Sequence, residues 1–377
     1  MNVGVRHWAA AVGLAGLSLL TGCGNFFVYP GSTGSGAGST SGDYVYVANG
    51  ITNTIAGFAV GTGALTAVSN SPYALTISPT AVAVNPGNTI LYVGSNAFLY
   101  AYAISSTGAL TLLNNGYAVA NANVIAMDIS PDGQWLFALD GNGFSVDEFQ
   151  INNTTGVLTQ QAGAAYSITT ATVVPRAIKV APNGSFVFAA LGTAGDLVFT
   201  LNEATGVITA SQQLATGSST TSDNGLAVSP SSNYLYIARS GTRGGLAVYS
   251  VTSGTGALTA ISGSPFSAGT QPYSVAVNQA GTAVYVANRG DSTISGYTIS
   301  STGALTTISG SPFTSGNAVT ALIADRSGSF LAAASTGGSP DLALYSFDTT
   351  TTGKLDLSTS TTTGTDPTGA IAIAATH

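Results

Sequence analysis

The chain of 377 residues is 45% apolar, only 6% charged and carries 48 glycines, a balance that suits short strands between tight turns and excludes long solvated helices, which need far more Lys and Glu. Its formal charge of -7, with 8 Lys and Arg residues, excludes a nucleic-acid partner, because phosphate binding rests on basic side chains. One large domain or two modest ones fit this length, and low charge with abundant Gly, Ser and Thr suits an extracytoplasmic setting.

Residues 1–22 read as an export signal: Arg6 and His7 precede an apolar run from Trp8 to Leu20, and Leu20-Thr21-Gly22 leads into Cys23. The run is 13 residues long, too short for a spanning helix, which needs about 18 or more. Cys23 is the single cysteine, and its placement resembles the bacterial lipobox, in which the signal is cut before a cysteine whose thiol takes a diacylglyceryl group. A buried cysteine in an ordinary helix is the alternative, against which stands its position outside any foldable segment. Several acyl chains on one residue anchor a protein stably, so the expected partner at this end is a membrane. Gly24, where inner-membrane lipoproteins carry Asp, favours the outer membrane or cell surface. Residues 23–42 then comprise the lipidated cysteine and a Gly/Ser-rich tether with nothing to bury.

From residue 43 to 377 the chain repeats. The segment TGAL, or a close variant, begins at Thr62, Thr107, Thr155, Thr205, Thr255, Thr302 and Thr352, with spacings of 45, 48, 50, 50, 47 and 50 residues. That period predicts four-stranded propeller blades. In the clearest copy YSVAVN from Tyr273 is the inner strand, AVYVAN from Ala283 the second, TISGYTIS from Thr293 the third and ALTTIS from Ala304 the outermost, with Gly281, Gly290 and Gly303 at the turns. Pro72, Pro265 and Pro312, each in a Ser-Pro-aromatic triplet, follow outer strands, where a missing N–H is tolerated. The small apolar inner strands, such as AVAV from Ala81, suit chains crowding an axis with both faces covered. A solenoid shares this period, but the termini favour a ring: the first unit opens at Tyr44 with a second-strand sequence, and GAIAIAAT from Gly369 is an inner strand without partners. The expected fold is an all-β, seven-bladed propeller closed by pairing its N- and C-terminal strands, without disulfides.

The recurring YVAN segments at Tyr46–Asn49 and Tyr285–Asn288, with NPxG-like turns and TGAL endings, resemble the YVTN-type, 6-phosphogluconolactonase-like lactonase family of seven-bladed propellers. The resemblance spans the whole repeat region. It implies lactone hydrolysis or muconate lactonization, carried by His, Arg and acidic side chains. A family stretch Gly-Pro-Arg-His, followed by a strand and Asn-Glu, aligns with Val174-Pro175-Arg176-Ala177 and the strand ending near Leu191-Gly192. Arg176 is kept, but the histidine position is Ala177 and the acidic position is Gly192. The chain has 2 histidines, His7 in the signal and His377 at the last residue, so an imidazole base in the funnel is not expected. A carboxyl with a tuned pKa is the remaining acid-base candidate.

No cofactor or metal is expected. The Gly-rich stretches have no following helix to cradle phosphate, and neither a Cys/His cluster nor a calcium-type loop occurs. Asp147 and Glu148 are adjacent in a strand and so face opposite ways, and Tyr44, Tyr46, Tyr92, Tyr236 and Tyr285 read as packing between blades. In an antiparallel blade, turns entering the inner strand share one end with turns joining the second and third strands. This rule places Arg176, Arg239, Arg243 and Arg289 at one end, with Asp196, Asp223 and Asp291, while Arg326 and Lys354 fall at the other and Lys179 lies within a strand. Arg176, Arg239, Arg243, Arg289, Asp223 and Asp291 are therefore candidates for binding a small anionic ligand such as a sugar acid; mutual ion pairing is the alternative. The expected function is a lipid-anchored binding or scaffolding propeller for such a ligand or for a protein partner. The rival reading is a hydrolase of sugar-acid lactones.

Overall fold

The computed structural model describes residues 42–141, 145–161, 163–165, 173–216, 218–325, 327–364 and 370–377, and the signal segment, Cys23 and most of the tether lie outside these. The described residues form seven antiparallel sheets, with one short 3-10 turn at Asn114–Gly116 and no helix long and apolar enough to cross a membrane. Each sheet is a blade, and in six of the seven the four main strands run in chain order from the axis outward. Blade 1 takes Asp43–Asn49, Thr54–Val60 and Leu65–Ala67 from the start of the repeats and its inner strand, Ala370–Ala375, from the end. Blades 2 to 7 begin at the inner strands Ala81–Val84, Val124–Ile129, Ala177–Val180, Thr221–Val228, Pro272–Val277 and Val319–Ala324. Each inner strand packs beside the next and the seventh beside the first, so the ring closes.

Closure follows the expected pairing. Val45 faces Ala375, Val47 faces Ile373 and Asn49 faces Ala370. The Tyr44 N–H donates to Thr376 Oγ1 at 2.9 Å, and the Thr376 N–H donates to the Tyr44 carbonyl at 3.0 Å. Two strands from opposite ends of the chain thus satisfy each other's backbone groups, covering what would otherwise be the open inner edge of Asp43–Asn49.

The outermost strand is long in blades 4 and 7, Ile208–Leu214 and Leu355–Thr361, but shorter than expected in the other blades. In blade 6 the outermost strand is Leu305–Thr307, and a second short strand, Phe313–Thr314, pairs with the same third strand, Thr293–Ile299. Between them Pro312 has no N–H for the ladder. Ser311 fills the gap: its hydroxyl accepts the Gly296 N–H at 2.9 Å. Ser71 does the same for Gly57 and Ser264 for Val248, each at 2.9 Å. The Ser-Pro-aromatic triplet is therefore a device for leaving a strand without orphaning a donor.

The turns between second and third strands, with those leading into inner strands, form what we term the upper end. The TGAL turns lie at the lower end.

Candidate functional site

All four arginines expected on one end belong to the upper end of blades 4, 5 and 6. Arg176 directly precedes the inner strand Ala177–Val180, is exposed, and donates its N–H to the Ala190 carbonyl at 3.0 Å. Arg243 is exposed in the turn of blade 5 between Tyr234–Gly241 and Gly245–Val251, with φ of 64°. Arg289 is exposed in the corresponding turn of blade 6, and its guanidinium carbon lies 5.1 Å from the centroid of the Tyr273 ring, a cation–π geometry that holds the fork in place.

Arg239 differs. It is 7% exposed, donating from Nε to Asp223 Oδ1 at 2.6 Å and from Nη2 to Asp223 Oδ2 at 2.8 Å. A third group, Asp196 of blade 4, lies 3.9 Å from Nη2 across the seam. Burial works to lower the Arg239 pKa, but its bonds to Asp223 more than offset this and hold the guanidinium charged. Arg239 and Asp223 are thus spent on each other and withdrawn from solvent, which removes two of the six proposed ligand-binding residues. The alternation of strand residues explains this: Arg239 shares parity with Leu235 and Ile237, which face blade 4. Asp291 is exposed and bonded to Thr270, whose hydroxyl and N–H together hold its carboxyl below the usual range. What remains open is a cationic arc of Arg176, Arg243 and Arg289, one per blade.

Two carboxyls that the sequence left apart come together in blade 3. Asp147 lies across from Ala138 in the ladder, beside Asp140, and burial followed by the Asp140 charge raises its pKa. Glu148 points the other way, to blade 4, where its Oε1 accepts the Ile208 N–H at 3.4 Å. No spacing rule pairs residues 140 and 147; the hairpin between them does.

At the lower end Lys354 bridges Asp348 at 3.2 Å and Asp356 at 2.7 Å, and His377 places Nε2 3.2 Å from the Val84 carbonyl. The one described imidazole is therefore at the end opposite the arginines. Lys179 lies 3.5 Å from Asp128 between the inner strands of blades 4 and 3, and Arg326 is outside the described residues. A cleft of about 620 Å³ opens between blades 6 and 7, lined by Ser, Gly, Thr and Pro with Asn317, Asp341 and Tyr345 and by the apolar Phe313, Leu355 and Leu357, and includes none of the arginines. Among the described residues no group of His, Cys, Asp and Glu is placed to hold a metal ion.

The sequence model of the lactonase seven-bladed β-propeller family matches residues 129–320 and 264–372. The chain belongs to this family. Solved structures of similar fold include a Bacteroides uniformis ATCC 8492 protein provisionally assigned as a 6-phosphogluconolactonase, 18% identical with a TM-score of 0.69, covering 84% of this chain and 95% of its own. A Bacteroides fragilis NCTC 9343 protein with the same provisional assignment is 17% identical with a TM-score of 0.69, covering 91% and 100%. The periplasmic gluconolactonase of Pseudomonas aeruginosa is 16% identical with a TM-score of 0.69, covering 89% and 99%. These likenesses establish the fold. No curated protein matches the chain significantly.

Arg176 lies at the upper end, Ala177 opens the adjoining strand and Gly192 sits in the turn that follows the blade's second strand. Gly192 has φ of 63°, and a Cβ there would lie 3.0 Å from Val174 Cβ and 3.1 Å from its carbonyl, so a side chain at this position would be strained.

Proposed function

We propose that this lactonase-family propeller binds a small carboxylated or phosphorylated sugar acid at its upper end, and that it does so outside the cytoplasmic membrane, tethered by lipid at Cys23. The observation that carries the reading is Arg289, exposed yet held over Tyr273, on the same end as the exposed Arg176 and Arg243. A guanidinium fork pre-set by an aromatic ring meets a carboxylate or phosphate with little further loss of freedom. Chain entry agrees with a tether: Asp43 begins its strand at the lower end, since Asn49 and Thr54 flank the upper turn.

Lactone hydrolysis is the second reading, favoured by family membership and by the raised carboxyl of Asp147, a group suited to donating a proton. One set of titrations separates the two. Calorimetry with gluconate and 6-phosphogluconate should show binding that weakens in Arg176→Ala and Arg289→Ala. Gluconolactone opening, corrected for the spontaneous rate, should stay at background for a binder, and turnover abolished by Asp147→Asn would make it an enzyme. Affinity unchanged in both arginine variants would overturn the anionic site.

A further inference from the structure

Three side chains at the seam between blades 4 and 5 break the pattern of the repeat together. Two residues beyond the second-strand position held by Tyr46, Tyr92, Phe137, Tyr236, Tyr285 and Ala332, the third-strand partner is Ile55, Leu99, Val146, Leu246, Ile294 and Leu342, all buried. In blade 4 it is Asp196, opposite Ala190 and 1% exposed. At the start of the inner strand Asp223 faces Arg239, where other blades pair Val124 with Asp140, Pro272 with Asn288 and Val319 with Ser335. Arg239 itself stands where the repeat carries Asn49 or Asn288, each bonded to the Thr that opens the next strand.

The charges do not balance. One guanidinium serves two carboxyls, and it gives both of its short bonds to Asp223. Asp196 is only within 3.9 Å of it, and no N–H or O–H donor among the described residues reaches either Asp196 oxygen. Ionised, Asp196 would be a dry negative charge beside a second one, at a cost of several kcal/mol. The groups that face it are Asp223 and Arg239, with the Tyr249 hydroxyl 3.5 Å from Arg239 Nη2.

We infer that Asp196 keeps a proton beside the Asp223–Arg239 pair, and that this proton makes the seam a pH-dependent latch between blades 4 and 5. The direction of the Asp196 shift agrees: burial, then the charge of Asp223, push its carboxyl well above the ordinary range, and Arg239 opposes this only in part. A carboxyl whose folded pKa is raised contributes its full stability below the ordinary aspartate range, and that contribution is lost progressively as pH rises from there through the folded value. The latch is therefore tightest in acid and weakens as pH rises out of the ordinary aspartate range. The strand-to-strand bridge beside it, in which the Asp223 N–H donates to the Gly192 carbonyl at 3.2 Å, is the contact that loosens first.

The test uses the whole mature chain. Infrared spectra at about pH 5.5, above the ordinary aspartate range, should contain a protonated-carboxyl C=O band that is absent in Asp196→Asn and that fades in wild type as pH is raised further. Relative to Asp196→Asn and Asp196→Leu, the wild-type melting temperature should fall by several degrees as pH rises from about 4 through the folded value. The latch is overturned by a wild-type spectrum without the band at about pH 5.5, and equally by parallel melting profiles in wild type and Asp196→Leu. Because the spectrum is read on wild type, misfolding of a variant does not rescue the idea.

Discussion

The Tyr46 hydroxyl of blade 1 donates to the Gly108 carbonyl of blade 2 at 2.8 Å, joining the tyrosine of one YVAN segment to the glycine of the next TGAL turn. Tyr92 bonds Gly156 at 3.2 Å and Tyr285 bonds Gly353 at 2.6 Å in the same way. The two sequence repeats are thus two halves of one inter-blade pin. Burial raises the pKa of each of these phenols, so all stay neutral donors across the physiological range.

Removing one pin should cost measurable stability without changing the fold. Tyr46→Phe leaves the Gly108 carbonyl unpaired in a dry seam, an expected loss of about 1–3 kcal/mol in urea denaturation. Gly108→Ala should cost more, because φ there is 77° and the new Cβ would lie 2.2 Å from the Tyr44 ring. Equal stability of Gly108→Ala and wild type would show that the turn has room the structure denies.

Ring closure predicts a cooperative failure. Deleting residues 369–377 removes Ala370–Ala375, the inner strand of blade 1, and exposes the edge of Asp43–Asn49, with Val45 and Val47 now unpaired. The truncated protein is expected to aggregate or melt well below the full chain, as judged by light scattering and calorimetry. An unchanged melting temperature would sink the closure argument.

The fold was legible because the TGAL and second-strand segments recur at a blade-length period, so spacing located the seven units and the orphan strand at the C-terminus, while the Tyr46–Gly108 bond itself needed the structure. The site was legible only in part. Antiparallel strand order placed the arginines at one end, but end and depth are separate questions: Arg239 and Arg243 share the end, and one is buried while the other is exposed. Burial depends on side-chain parity at a seam with the preceding blade, which needs the register. Asp196 lay in the expected cluster, yet its meaning comes from the aliphatic residues at the same ladder position in other blades. Asp140 and Asp147 meet through a hairpin, and no motif announces that.

The buried ion cluster should respond very differently to partial and complete removal. Arg239→Ala leaves Asp196 and Asp223 buried without their cation, an expected loss of about 3–5 kcal/mol. Restoring repeat-like residues at all three positions, as Asp196→Leu, Asp223→Val and Arg239→Asn together, should recover most or all of that, since packed apolar groups commonly match a buried ion network. A triple variant no more stable than Arg239→Ala would show that the cluster contributes net stability of its own.

Lipid attachment has a direct readout. Mass spectrometry of the mature protein should find an acylated residue 23 as the N-terminus, and Cys23→Ser should leave the precursor uncut or release the protein from membranes. An intact, unmodified cysteine in the membrane-free wild type would end the lipoprotein proposal.

The ligand end is tested most sharply at Arg289, because this residue is exposed and its removal should leave folding alone. If its fork grips a carboxylate or phosphate, Arg289→Ala should weaken sugar-acid binding about tenfold or more, equivalent to about 1.4 kcal/mol, with an unchanged melting temperature. Arg289→Lys keeps the charge but loses the planar fork and its stacking on Tyr273, so it should recover only part of the affinity. Tyr273→Leu keeps the arginine and frees it, which should weaken binding through lost pre-organisation and leave its salt dependence intact. This ordering, wild type above lysine and leucine variants and those above alanine, distinguishes a shaped anion site from diffuse attraction, for which Arg289→Lys would bind as well as wild type.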